Sequence, residues 1–134
     1  MIERKLESLR RCLARVRSRC PATLPELIAD VDAQDVLVLN LSRAVQLCVD
    51  MAAHLLTDLN LPPPSTMGET FSRLAEAGRI HPDLAQGMRR AVGFRNLAVH
   101  NYDDIDWGIV FAIATTHLAD FDRFAHSVAD HLSA

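Results

Sequence analysis

AQDVLVLNLSRAVQLCVDMAAHLLTDL, residues 33–59, decides the fold class. Leu37, Leu41, Ala44, Cys48, Met51, Leu55 and Leu59 recur at spacings of three and four, which sets them on one stripe of an α-helix. Val36, Val45, Ala52 and Leu56 widen the stripe. A helix apolar over so broad an arc is either the central helix of a bundle or a subunit interface. Asp32 is the expected N-cap, with Asp35 three residues on in the capping-box position. The helix should end at Asn60-Leu61, before the run Pro62-Pro63-Pro64.

The flanking chain repeats the pattern. Leu6, Leu9, Leu13 and Val16 predict a first helix over residues 3–19, after which Pro21 and Pro25 make a linker. A short helix is expected over 67–77, with Thr66 as N-cap, Glu69 closing the box, Phe71, Leu74 and Ala75 facing inward, and Gly78 as the stop. A fourth begins near Pro82 and buries Leu84, Met88, Ala91, Val92 and Val99. A fifth runs over 107–131 behind Asp106, with Val110/Phe111, Ala114, Leu118, Phe121, Ala125, Val128 and Leu132 as its stripe. No segment alternates as a strand does. The expected fold is all-α: an antiparallel bundle of four main helices plus one short helix, in a single domain over residues 1–134.

The formal net charge of −3 does not favour a general nucleic-acid binder, but its distribution is uneven. Residues 1–19 carry seven basic side chains against Glu3 and Glu7, a net of +5; the remainder carries seven basic against fifteen acidic, a net of −8. The first helix therefore presents either a solvated face or a positive patch on an acidic body, with Arg11 and Arg15 as candidate RNA contacts. Cys12, Cys20 and Cys48 are odd in number and lack metal-knuckle spacing, so they read as reduced packing residues. His54, His81 and His117 lack the local spacing of a metal site, and neither a metal nor a cofactor is expected. There is no secretory signal pattern and no run of 18 apolar residues, so the expected setting is the cytoplasm, without a membrane span.

The chemistry concentrates in Arg95-Asn96-Leu97-Ala98-Val99-His100-Asn101-Tyr102. Arg95 falls on the apolar register of the fourth helix, following 84, 88 and 91/92. A guanidinium there is costly to bury unless it meets an anion. It either pairs with an acid on a neighbouring helix or clamps a phosphate or carboxylate. Asn96 and His100 are four apart and share a face, so Asn96 is placed to orient the imidazole. Arg95 and His100 lie about 140° apart around an ideal helix. They converge only if the helix end distorts, if a cleft forms around it, or if a twofold axis brings two copies together. Histidine moves protons near neutral pH, and arginine stabilises charge on a phosphorane-like transition state, which suits RNA cleavage. Tyr102 is the single tyrosine, just past the helix end. It is either an aromatic plug or a hydroxyl at the site's rim.

These residues resemble the HepT-like toxins of the HEPN superfamily, whose mark is an arginine, four to six residues, then a histidine. Here it stands as RNLAVH at 95–100, extended to RNLAVHNYDDID at 95–106. NLSRAVQLCVDMAAHLL at 40–56 and GETFSRLAEAGRIHPDLAQGMRRAVGFRN at 68–96 carry the likeness over nearly the whole chain. The resemblance implies an all-helical homodimer whose two motifs line one cleft. It implies the toxin of a type VII-like toxin–antitoxin system, a metal-independent endoribonuclease that leaves a cyclic phosphate. Its partner would be a minimal nucleotidyltransferase antitoxin that neutralises it by adding AMP. Arg95 and His100 would be catalytic and Tyr102 the modified residue. The superfamily also holds noncatalytic members, so the alternative is a nucleotide- or protein-binding module working with a nucleotidyltransferase.

Around this core stand supporting residues. Arg43, Gln46, Asp50 and His54 form a polar strip on the second helix, and in the family reading Asp50 would reach Arg95 or His100 across a dimer. Trp107 reads as a packing anchor, His117 as a packing residue, and His126 and His131 as surface residues. Asp103, Asp104 and Asp106 suit the start of the fifth helix, facing away from RNA or toward a partner.

Overall fold

The computed structural model describes residues 1–133. It is an all-α bundle with seven α-helices and no strand among the described residues. They are α1 (Ile2–Arg19), α2 (Leu24–Ala29), α3 (Val31–Asp58), α4 (Met67–Glu76), α5 (Pro82–His100), α6 (Trp107–Thr115) and α7 (Leu118–Ser133), with a 3-10 turn at Tyr102–Asp104.

α3 is the axis. It packs against α1, α2, α4, α5, α6 and α7, and its stripe from Leu37 to Leu55 is buried. By length and composition α3 could cross a membrane, but 56% of its apolar 18-residue stretch is buried inside the bundle. α1 runs antiparallel to it, so that Lys5 near one end meets Asp50 and the Arg11–Arg15 turn lies beside Leu39 and Arg43. Leu6, Leu9, Leu13 and Val16 are all buried, as their spacing predicts. α4 and α5 pack as a hairpin, and Phe71 of α4 meets Phe124 of α7 edge-on, centroids 5.3 Å apart.

The helix ends follow local chemistry. Thr66 accepts from the Glu69 N–H at 3.2 Å, but the Glu69 carboxylate pairs with Arg73 rather than closing the box. α3 and α4 both stop on a left-handed residue, Asn60 (φ 57°) and Gly78 (φ 76°), with Leu61 N donating to Leu56 O and Arg79 N to Leu74 O. At Gly87 the requirement is space: a methyl there would collide with the Asp120 carboxylate of α7.

Four expectations are corrected. The Pro21–Pro25 segment is not all linker, because Pro25 sits in the first turn of α2, where a missing N–H costs nothing. α3 is capped by Asp30, not Asp32: Asp30 Oδ1 accepts from Ala33 N at 3.1 Å, and the same residue ends α2. The expected fifth helix is two helices. Thr115 Oγ1 donates to the Phe111 carbonyl at 2.7 Å, and the Thr116 and His117 N–H groups both converge on Ala112 O, which breaks the ladder. Leu132, expected inside, is exposed.

Candidate active site

Asn101 ends α5, its N–H returning to Leu97 O at 2.8 Å, and the chain tightens into the 3-10 turn carrying Tyr102. The last turn of α5 projects beyond the core. Val99, expected inside, is 53% exposed, because no helix among the described residues covers the end of the register. Phe94, which the sequence reading missed, is the last buried side chain before the motif.

Arg95 is half-buried, and among the described residues no carboxylate lies within ion-pair distance of it. Its single polar contact is Nη1 donating to Asn96 Oδ1 at 3.4 Å. Among the described residues the internal ion pair that would make Arg95 structural is absent. Asn96 therefore turns toward the arginine and makes no bond to His100, contrary to the orienting role expected of it. His100 is exposed at the helix end. Within one chain nothing joins it to Arg95, as the angle between them requires.

Tyr102 is 43% exposed, and its hydroxyl donates to Asp35 Oδ1 of α3 at 3.4 Å. Its ring meets Trp107 edge-on, with centroids 6.4 Å apart. Burial first, then the Asp35 charge and hydrogen bond, push this hydroxyl above the usual tyrosine value. Asp35 thus serves the tyrosine rather than a capping box. Trp107 is half-buried and Asp106 caps α6 through Gly108 N at 2.8 Å, both as expected. Asp103 and Asp104 are exposed on the turn.

Asp50 does not reach the motif within this chain. Lys5 Nζ holds one oxygen at 3.3 Å and Gln46 Nε2 the other at 2.9 Å, so it ties α1 to α3. Arg11 and Arg15 line a groove of about 670 Å³ between α1 and α3, together with Arg43 of the polar strip. Burial pushes the thiols of Cys12, Cys20 and Cys48 up, which keeps them protonated and poorly nucleophilic. No three His, Cys, Asp or Glu side chains cluster as metal ligands would among the described residues. His131 is not a free surface residue: its Nε2 lies 3.2 Å from Asp58, which also meets His54.

Comparison with known proteins places this geometry among relatives. A family model described as "Ribonuclease HepT-like" matches residues 9–128. The chain is 31% identical over 124 residues to the mRNA nuclease HepT of Shewanella oneidensis, covering 92% of each chain. It is 26% identical over 132 residues to the tRNA nuclease HepT of Aphanizomenon flos-aquae, covering 98% of this chain and 90% of the other. It also superposes on a tri-AMPylated Shewanella oneidensis HEPN toxin solved in complex with an MNT antitoxin, with a TM-score of 0.89, 29% identity and 96% coverage of each chain.

Proposed function

The chain belongs to the HepT-like ribonuclease family, and on that premise we propose that it is the endoribonuclease toxin of a toxin–antitoxin pair, acting in the cytoplasm as a homodimer. The observation that carries the reading is Arg95: a half-buried guanidinium without a carboxylate partner, on the same projecting helix end as His100 and Tyr102. A cation left free at such a place is set for an anion from outside, and the phosphodiester of RNA supplies one.

In the proposed reaction His100 takes the proton of a ribose 2'-hydroxyl as its oxygen attacks phosphorus. Arg95 stabilises the charge gathering on the phosphorane oxygens. The P–O5' bond breaks, a proton goes to the departing 5'-oxygen, and a 2',3'-cyclic phosphate remains. A second histidine is needed for one of the two proton roles, and the copy of His100 in the other protomer supplies it. Asn96 supports the site by holding Arg95, and Asp50 by fixing α1 on α3. The surface of this end supports pairing: Ile28, Val31, Val99, Tyr102 and Ile109, all exposed, lie on the elements that meet there. Arg11 and Arg15 are read as contacts to the RNA backbone.

Neutralisation is read as transfer of AMP from ATP to the Tyr102 oxygen by a minimal nucleotidyltransferase antitoxin, with release of pyrophosphate. The exposure of Tyr102 at the surface supports that reading. Two measurements test the whole reading. His100→Ala abolishes cleavage of RNA while the circular dichroism spectrum and the dimer persist; unchanged cleavage would sink the mechanism. Coexpression with the antitoxin adds mass in AMP steps to the parent chain and none to Tyr102→Phe; AMP added to the phenylalanine variant at the same level would sink the assignment of the tyrosine.

A further inference from the structure

The groove between α1 and α3 has a composition that the motif does not explain. Arg11, Arg15 and Arg43 line it, and no carboxylate does. Elsewhere on α1 three cations are matched, Lys5 with Asp50, Arg10 with Glu7 and Arg17 with Asp122, while Arg4 and Arg19 at its two ends have no ion-pair partner among the described residues. The three groove arginines have no ion-pair partner among the described residues, and Arg11 has only a hydrogen bond to Ser8 Oγ at 3.4 Å. Three like charges around one concavity repel one another, and an anion relieves that repulsion.

The groove also has an apolar floor and a buried polar group. Leu39 is 52% exposed and lies in it beside Leu47. Asn40 is only 8% exposed. Its Nδ2 donates to Val36 O at 2.9 Å, while its Oδ1 accepts no hydrogen bond among the described residues. A phosphate ligand alone has no use for a leucine floor or for an acceptor. A nucleotide has a use for both, since its base or sugar offers a flat apolar surface and N–H or O–H donors.

The groove and the contact made by Tyr102 both lie along α3. Asp35, Leu39 and Arg43 are spaced by four and share one helix face. Asp35 holds the Tyr102 hydroxyl, and Arg43 stands about 12 Å further along the helix axis. The geometry points to this groove as a subsite for single-stranded RNA flanking the cleaved bond. Arg43 joins Arg11 and Arg15 on the phosphates, and Asn40 Oδ1 accepts from a base or ribose. This inference rests on the ribonuclease reading for its ligand, and adds to it a place and two residues.

Binding of a fluorescent single-stranded RNA to the His100→Ala protein is measured across a salt series, with and without Arg43→Gln. Arg43 is exposed and unpaired, so its replacement leaves the fold intact. The expected result is a loss of affinity of about tenfold and a salt slope smaller by roughly one. In the cleaving protein, Arg43→Gln and Asn40→Ala raise KM and leave the single-turnover rate at saturating RNA unchanged. Unaltered affinity and slope in Arg43→Gln overturn the inference, and would do so with the ribonuclease reading intact if the parent still cleaves. Loss of binding in Arg43→Gln in a parent that never cleaves upholds the groove and overturns the ribonuclease. If Arg43→Gln spares RNA binding but weakens association with the antitoxin or with a second copy, the groove is a protein surface and the inference fails.

Discussion

The hydroxyl of Tyr102 and the carboxylate of Asp35 meet at 3.4 Å, and through them the turn after α5 is tied to the first turns of α3. Burial and the Asp35 charge both hold the proton on the tyrosine. Its folded value therefore lies above the unfolded value of about 10. The stabilising contribution is fully present below that unfolded value and is lost as pH rises through the folded one. Because the chain has one tyrosine, alkaline absorbance titration reads this residue alone. Asp35→Asn lowers the inflection toward the ordinary value without reaching it, since burial remains. An inflection that does not move shows that Asp35 contributes nothing.

Arg95→Ala separates chemistry from structure. With no carboxylate partner to lose, the variant should keep its stability to within about 0.5 kcal/mol. Cleavage should fall about a hundred- to a thousand-fold, as when one donor to a developing oxyanion is removed. Paired thermal melts and single-turnover cleavage check this. A large drop in stability would make Arg95 a structural residue.

The cap of α3 is testable by two single substitutions. Asp30→Ala should cost about 1 kcal/mol, because it leaves the Ala33 N–H without its acceptor. Asp32→Ala, two residues later in the first turn and outside the cap, should cost less. Urea midpoints of the two variants compare them directly, and equal losses would refute the assignment of Asp30.

Gly87→Ala should destabilise by about 1–3 kcal/mol, because the new methyl drives against the Asp120 carboxylate and spreads α5 from α7. Asp120→Ala removes the obstacle, though it also frees Arg123 and His117 from their partner. In a double-mutant cycle the two losses should be markedly less than additive. Full additivity would mean that Gly87 does not serve that close approach.

The central helix was legible because its signal is redundant: the positions from Leu37 to Leu55 repeat one spacing, and all are buried. α1, α4 and the start of α5 were legible for the same reason. The boundaries that escaped were those decided by competition between similar residues. Asp30 and Asp32 offer the same cap, and only the turn out of α2 chooses between them. The break in the fifth helix has neither proline nor glycine to announce it; it comes from a pair of adjacent threonines, one of them bonded back to its own helix. In the candidate site the residue types were legible, while their partners were not. Asn96 was assigned to His100 by spacing and turned to Arg95 instead. Asp35 and Tyr102 are 67 positions apart, a separation that no local pattern bridges. Arg43 became part of a groove only once α1 lay beside it.

The contacts that fasten α7 have a consequence for how the chain reaches this state. Asp58 meets His131 across 73 positions, and Arg17 meets Asp122 across 105. The pairings of α1 with α3 and of α4 with α5 close over far shorter loops, so their entropic cost is smaller and they can assemble first. During synthesis the motif at 95–102 emerges before α7 does, at a time when Phe71 still lacks Phe124. The arginine and histidine of the motif thus leave the ribosome on an unfinished bundle, and α7, translated after them, completes the core beneath them.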